Sequence, residues 1–289
     1  MFWKKKKNKN QEVEKAKTKR FALLGEDIQY SLSPKIHSII YRELGVDATY
    51  ELFDVKKEDL EKNLPKLYKL DGFNVTKPYK QEIEKHIIKF GVDTNPCFCA
   101  VNTVCLDKME AYNTDFDGFL EHMMELEEKR GFRFANETVL MLGAGGVAES
   151  VLSALLCLDV EEISIFNRTY DKAFDLVGNN RNVFAIKNKN RLSYNIVVNC
   201  TSYGLNEGEN IAEGIDFSST LLAYDTIYFD TEFLKTARKA NVSLVVNGLD
   251  MLIYQAVASA EIFLGKEIKD KQALKKIILE ELALESNSN

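Results

Sequence analysis

Cysteine, histidine, proline and tryptophan are scarce in this chain of 289 residues: five, three, four and one, respectively. The cysteines, Cys97, Cys99, Cys105, Cys157 and Cys200, contain no Cys-x-x-Cys pair, and only Cys97 and Cys99 are close-set. The histidines, His37, His86 and His122, are scattered. This spacing matches no metal-ligand set, so no metal site is expected and the thiols read as small buried side chains in a reducing cytoplasm. No apolar run approaches the roughly 20 residues that cross a bilayer, which argues against a membrane partner. Neither a repeat nor a linker rich in Pro, Gly or Ser is present, so domain boundaries must come from pattern. A net charge of −6 argues against nucleic acid as the main partner. Basic charge is local: nine lysines and arginines fall in the first twenty residues, without an apolar core or a small-residue cleavage site. That segment is not a signal peptide, and residues 1–19 read as a solvated, disordered basic tail.

What is present is a hydrophobic share of 45% and a length comfortable for two domains. The most informative segment runs from Thr138 to Thr169. The apolar run Thr138-Val139-Leu140-Met141-Leu142 feeds the turn Gly143-Ala144-Gly145-Gly146, a helical pattern runs from Val147 to Leu158, and a second apolar strand covers Ile163 to Phe166. Strand, glycine turn, helix and strand make a dinucleotide-binding βαβ unit, with Ala148 at the third glycine position. Glycines let the backbone approach a pyrophosphate, which the N–H groups of the helix N-terminus then hold. NAD sites commonly end the second strand in a carboxylate that bonds the ribose 2′-OH. Here the strand ends in Asn167-Arg168-Thr169, with Lys172 one turn further on. An arginine grips a 2′-phosphate that a carboxylate would repel, which points to NADP.

Pattern predicts further strands at 20–24, 49–54, 72–75, 183–186, 196–199, 222–225 and 243–246, and a hairpin of strands 100–106 and 110–113. Helices are expected from Ser33-Pro34 to Leu44, over 57–69 despite Pro65, from Pro78 to about Phe90, and over 116–129, 251–264 and 272–284. Alternating strands and helices imply mostly parallel sheets covered on both faces, with the site in a cleft beyond the strand C-termini.

Three polar clusters stand at strand ends or loop starts. In Ser31-Leu32-Ser33-Pro34, Ser33 reads as an N-cap; Ser31 is not needed for that cap, and two hydroxyls at a helix start suit a carboxylate. Asn74-Val75-Thr76-Lys77-Pro78-Tyr79-Lys80 offers an amide, a hydroxyl and two amines; a lysine in a first helical turn faces the positive dipole end and so needs a reason. Asn102-Thr103 and Asn113-Thr114-Asp115 lie at matching ends of the hairpin, where turn formation is the competing reading. A lysine beside an aspartate can pass the proton that hydride transfer to a carbonyl requires, which selects Lys80 and Asp115. No Ser/His/Asp or Cys/His set competes.

The motifs SLSP, NVTKPYK, AVNTV, NTDFDGF, GAGGVA, NRT, NCTSYGL and NGLDMLIYQA occur in that order from about Arg20 to the last helices. On these motifs the chain resembles the shikimate dehydrogenase family. The resemblance implies an α/β protein of two domains with a cleft between them. One is a substrate-binding catalytic domain, 20–115 completed by 248–289; the other is a Rossmann NADP-binding domain, 116–247. It implies reversible NADPH-dependent reduction of 3-dehydroshikimate to shikimate, in chorismate and aromatic amino-acid biosynthesis, by a cytoplasmic monomer or homodimer. It makes Lys80 and Asp115 the acid/base pair and gives the substrate carboxylate to Ser31 and Ser33, with Tyr228 closing over it. Thr76, Asn102 and Gln255 would hydrogen-bond the ring hydroxyls. Gly143, Ala144, Gly145, Gly146 and Val147 would cradle the pyrophosphate, and Asn167, Arg168, Thr169 and Lys172 the 2′-phosphate. Asn199-Cys200-Thr201 would line the adenine and ribose side, and Gly248 and Met251 the nicotinamide. Without the resemblance, Tyr228 would read as a surface aromatic, Gln255 as an exposed helix residue and Met251 as core.

The chain departs from the family pattern at Lys77, Cys99, Leu205, Asp230 and Phe233, and Asp230 places negative charge near Tyr228. An NAD-dependent quinate/shikimate paralogue would carry an aspartate at the end of the second strand, against Asn167-Arg168. A non-catalytic NADP-sensing module would have no need of Lys80 and Asp115.

Overall fold

The computed structural model describes residues 17–94, 100–131, 133–190 and 193–286. Residues 1–16 of the basic tail, Cys97 and Cys99 lie outside these.

The first sheet is built from β1 (Lys19–Gly25), β2 (Ala48–Asp54), β3 (Gly72–Val75), β4 (Asp93–Thr94), β5 (Thr103–Cys105) and β6 (Glu110–Tyr112). Its order is β2-β1-β3-β5-β6-β4. The pairs β1/β2, β1/β3 and β4/β6 are parallel, while β5 runs antiparallel to both β3 and β6, so this sheet is mixed, with most of its pairs parallel. The 103–112 hairpin causes the reversal, because two strands joined by a short turn must pair antiparallel. The hairpin also brings Asn102 beside Thr114, as its sequence suggested.

Helices cover both faces. On one side α2 (Leu60–Leu67) and α3 (Glu84–Phe90) bury Leu60, Leu64, Leu67 and Ile87 against Leu24, Phe73 and Val75. On the other, α1 (Ser33–Glu43) packs with α8 (Leu249–Leu264) and α9 (Lys271–Ser286), joining Ile36, Ile40, Ile253, Val257 and Ile278 over Phe21. The chain therefore returns to its first sheet at its end.

Between these runs lie α4 (Thr114–Arg130) and a second sheet of β7 (Thr138–Leu142), β8 (Glu162–Phe166), β9 (Val183–Ile186), β10 (Ile196–Asn199), β11 (Leu222–Asp225) and β12 (Leu244–Val246). All its pairings are parallel and its order is β12-β11-β10-β7-β8-β9, the doubly wound order whose switch point falls between β7 and β10. Consecutive buried residues in β7, Val139 to Leu142, are what a strand covered on both faces requires. One face takes α4, α5 (Gly146–Cys157) and α6 (Tyr170–Val177); the other takes α7 (Glu232–Lys239).

The second sheet connects to the first through α4 and α8. Gly118 of α4 lies so close to α8 that a Cβ there would sit 2.7 Å from the Met251 carbonyl and 2.8 Å from Gln255 Cβ.

Three expectations need correction. Residues 76–83 form turns, with a cis Lys77–Pro78 peptide, and α3 begins only at Glu84, so Pro78 opens no helix. Lys77 and Lys80 therefore face no helix dipole, and that argument for their importance falls. Residues 57–59 form a separate 3₁₀ turn before α2, although Pro65 is held inside the helix as expected. Cys157 is exposed at the end of α5, unlike the buried Cys105 and Cys200. Among the described residues no helix is long and apolar enough to cross a membrane.

Candidate active site

A cleft of about 500 Å³ opens beyond the C-terminal ends of β3, β10 and β11, between the two sheets. It gathers Ser31, Ser33, Thr76, Lys80, Asn102, Asp115, Gly145, Gly146, Val147, Thr201, Tyr228, Gly248, Met251 and Gln255. These come from distant parts of the chain, so the fold alone brings them together.

Lys80 leaves its turn from the first sheet and makes an ion pair with Asp115 Oδ2, the second residue of α4. The other carboxylate oxygen, Oδ1, accepts from Asn102 Nδ2 at 2.9 Å. Asn113 caps α4, its side chain accepting from the Asp115 N–H at 3.1 Å, so the turn fixes the backbone that carries the carboxylate. Asp115 is buried, and Lys80 retains partial exposure toward the cleft. The pair thus presents a solvent-reachable ammonium whose carboxylate partner is held from two sides.

At the start of α1 the two serines exchange their expected structural parts. Leu32 occupies the N-cap position without a side-chain bond, and Ser33 is the first helical residue. Ser31 Oγ accepts from the Ser33 N–H at 3.2 Å. Ser31 is therefore the residue that satisfies the helix start, because its oxygen reaches two residues forward into the first turn. Both serines still line the cleft.

Tyr228 is half-buried on the opposite lobe, and burial followed by the nearby Tyr30 pushes its hydroxyl up to about 12, so it stays a neutral donor. Asp230 does not stand free beside it: its carboxylate pairs with Arg238 at 2.5 Å. Gln255 sits half-buried on α8, within 3.4 Å of Thr114 Oγ1. Met251 serves both readings, since it is buried in the core of the second sheet and also lines the cleft.

On the nucleotide side, Gly143 ends β7 with φ +106, and a Cβ there would meet Thr201 Cγ2 at 2.8 Å. Glycine is required by both the backbone angle and the crowding. No side chain caps α5, and a Cβ at Gly145 would meet nothing, so the first turn of this helix opens on free space. Gly248 lies against Thr226, whose carbonyl would be 2.2 Å from an added Cβ. These glycines leave room for a pyrophosphate against helix N–H groups. Gly143 and Ala144 do not line the cleft.

Asn167, Arg168, Thr169 and Lys172 are also outside the cleft, beyond the end of β8, where Asn167 Nδ2 donates to the Thr169 carbonyl at 2.7 Å. Arg168 and Lys172 are exposed and make no ion pair among the described residues. Two uncommitted cations without a carboxylate at this strand end fit a 2′-phosphate.

Sequence reasoning singled out the Asn74 amide without giving it a role, and it lines the cleft wall; it missed Asp225, wholly buried at the end of β11. Asp225 accepts from Asn199 Nδ2 at 3.0 Å, the Ile227 N–H at 3.0 Å and Thr231 Oγ1 at 2.6 Å, which fixes the loop carrying Tyr228. Burial raises its carboxyl to about 6 against these hydrogen bonds. The only signal in the sequence was a carboxylate ending an apolar strand. Cys200 lines the cleft, but burial and the neighbouring Asp225 raise its thiol well above the ordinary range, so it offers no thiolate.

Among the described residues one trio approaches cation-holding geometry, His122, Glu125 and Asp250. The Lys275 ammonium already pairs with Glu125 and, at 2.5 Å, with Asp250, so an internal cation answers these carboxylates.

Comparison with known proteins agrees with this geometry. Residues 23–104 match the family model described as shikimate dehydrogenase substrate binding domain, and 125–204 match shikimate / quinate 5-dehydrogenase. A shikimate dehydrogenase (NADP(+)) of Nitrosopumilus maritimus is 37% identical over 277 residues, covering 90% of this chain and 98% of that protein. One from Oceanobacillus iheyensis is 34% identical, covering 85% and 92%. The crystal structure of shikimate dehydrogenase from Aquifex aeolicus superposes with a TM-score of 0.78 at 27% identity, covering 91% of this chain and 98% of that one. The Thermus thermophilus enzyme in complex with NADP(H) and shikimate gives 0.75 at 27% identity, covering 91% and 99%. With its two sheets, its cleft and these relatives, the chain belongs to the shikimate dehydrogenase family.

Proposed function

We propose that this NADP-dependent oxidoreductase interconverts 3-dehydroshikimate and shikimate with Lys80 and Asp115 as its acid/base pair. The observation that carries the reading is the Lys80–Asp115 ion pair facing the same cleft as the uncapped glycine turn of α5. NADPH, held by the turn 143–147 with Thr201, Gly248 and Met251 and by Asn167, Arg168, Thr169 and Lys172, supplies a hydride when bound. As negative charge develops on the substrate carbonyl oxygen, the Lys80 ammonium stands ready to give it a proton. Asp115 holds the ammonium in place, the amine regains its proton from solvent reaching Lys80 through the cleft, and in shikimate oxidation the neutral amine takes the hydroxyl proton beside the same carboxylate. Ser31, Ser33 and the neutral hydroxyl of Tyr228 hold the substrate carboxylate, while Thr76, Asn102 and Gln255 orient the ring hydroxyls. Alignment of the reacting atoms is itself a large part of the rate.

The proposed catalytic domain is 20–115 with 248–289, and the nucleotide domain is 116–247. The packing of α8 and α9 on the first sheet supports this division. All residues of the proposed site come from one chain, so either a monomer or a homodimer can carry it. Free thiols at Cys105, Cys157 and Cys200 fit a cytoplasmic setting.

The test is turnover of shikimate and quinate with NADP+ and NAD+, beside Lys80→Ala. Shikimate oxidation with NADP+ is expected, with a fall of at least ~10²-fold in Lys80→Ala. Absence of turnover with either substrate would overturn the activity, and an unchanged Lys80→Ala rate would overturn the proton donor.

A further inference from the structure

Beneath the floor of the cleft lies a cluster of hydroxyls that touches no open space. Thr103, Thr114 and Ser259 are each wholly buried, and none lines the cleft. They come from β5, the first residue of α4 and the middle of α8. Thr103 Oγ1 lies 3.2 Å from Thr114 Oγ1 and 3.1 Å from Ser259 Oγ, and Thr114 Oγ1 lies 3.0 Å from Ser259 Oγ.

The cluster acts on one amide. Asn102 Oδ1 accepts from Thr103 Oγ1 at 2.9 Å, from the Thr114 N–H at 2.7 Å and from Thr114 Oγ1 at 3.2 Å. With that oxygen surrounded by donors, the amide has one orientation, and its NH₂ faces Asp115 Oδ1. A flipped amide would set NH₂ against the Thr114 N–H and lose the bond to the carboxylate. Below, Asn74 Nδ2 supplies Thr103 Oγ1 at 2.8 Å and Ser259 Oγ at 2.9 Å, and Tyr50 donates to Asn74 Oδ1 at 2.8 Å. Ser259 donates to the Gln255 carbonyl at 2.9 Å. Three hydroxyls thus connect Asn102, Asp115 and Gln255, which belong to different elements.

We propose that Thr103, Thr114 and Ser259 are positioning residues that lock the Asn102 amide and thereby aim the Asp115 carboxylate at Lys80. Hydrogen bonds in such a buried network reinforce one another, and a missing member leaves its partners unpaired. Valine at 103 keeps the shape of threonine but removes one of the three donors around the Asn102 oxygen and one of the three acceptors around the Asn74 NH₂, the others being the Asn102 carbonyl and Ser259 Oγ. Serine keeps the hydroxyl and gives up only a methyl group. The proposal rests on Lys80 and Asp115 being the acid/base pair.

The experiment measures kcat and KM for shikimate and for NADP+ in the wild type, Lys80→Ala, Thr103→Val, Thr103→Ser and Ser259→Ala, with folding checked by thermal melting. Thr103→Val is expected to lower kcat/KM for shikimate roughly tenfold, chiefly through kcat, with KM for NADP+ unchanged. Thr103→Ser should recover the rate to within about twofold and Ser259→Ala should fall between them. A folded Thr103→Val with wild-type kinetics overturns the proposal. So does a loss that serine fails to recover, or an equal loss for both substrates, which would mark general loosening. If Thr103→Val does not fold, Ser259→Ala decides by the same readouts: a kcat loss confined to the shikimate side supports the proposal, and wild-type kinetics overturn it. An inactive wild type, or an active Lys80→Ala, would sink the acid/base reading instead.

Discussion

At the scale of single residues, charge placement separates the two halves of the site. Lys80 and Asp115 neutralise each other inside the cleft, whereas Arg168 and Lys172, outside it, have no ion-pair partner among the described residues. A charged donor to a phosphate is worth about 1.5–3 kcal/mol, or roughly 10- to 150-fold in affinity. Arg168→Ala should therefore raise KM for NADP+ by at least about tenfold while KM for NAD+ stays within about twofold. Steady-state kinetics with the two cofactors checks this; an equal loss for both would show that Arg168 supports the loop rather than the phosphate. The sequence made these residues legible because charge and hydroxyl groups at strand ends have few purely structural uses. It misassigned the two serines, since which hydroxyl reaches the free N–H depends on backbone angles at Leu32 that spacing does not encode. Asp225 was illegible because its partners, Asn199 and Thr231, come from another strand and from the start of a helix.

At the scale of elements, legibility followed length and period. β7, β10 and β11 are buried apolar runs, and their limits agree with the pattern. The eight-residue helices α6 and α7 have too few turns for a period to stand out, and β4 has only two residues. Pro78 suited a helix start, but the chain uses it in turns, which a preference for one position in a helix does not settle. Gly118 carries the strongest element-level constraint. In an exposed helix, Gly→Ala stabilises by about 1 kcal/mol. Here the added methyl would meet the Met251 carbonyl at 2.7 Å and the Gln255 N at 2.9 Å, neither of which can rotate away. Gly118→Ala is expected to destabilise by about 1–3 kcal/mol, the usual range for overpacking. Because α8 carries Met251 and Gln255, KM for shikimate should rise with it. Urea unfolding with kinetics on the same preparation tests both parts, and a stabilised variant would remove the close crossing of α4 and α8 from the account.

At the scale of the whole molecule, acid should unfold this protein through groups remote from the reaction. His37, wholly buried, stacks on Tyr50 with centroids 4.0 Å apart, and neither ring nitrogen has a partner among the described residues. Burial lowers it from 6.5 to about 3. Burial likewise lowers His122 from 6.5 to about 4, with Asp250 opposing and Lys275 assisting. For Glu125 burial raises the carboxyl, but bonds from Lys129, Lys275 and Tyr254 outweigh it and leave it at about 2. In all three the folded state binds fewer protons than the unfolded chain, so their stability is full above the unfolded values and drains away as pH falls through the folded ones. Asp225 has the opposite sign: raised from 3.8 to about 6, it favours the fold below 3.8 and loses that contribution as pH rises through 6. Burial raises Asp117 and Glu137 in the same direction as Asp225, but the two buried histidines move furthest, so acidification leaves a net loss and Tm should fall from pH 7 to pH 4. Phenylalanine preserves the stacking on Tyr50 and cannot take up a proton. His37→Phe should therefore remain folded at pH 7 and show a shallower decline of Tm below pH 6.5. Melting curves at half-unit pH steps decide it. An acid slope equal to that of the wild type would mean that another group drives the transition, with His122, placed between Tyr224 and Asp250, the next to substitute.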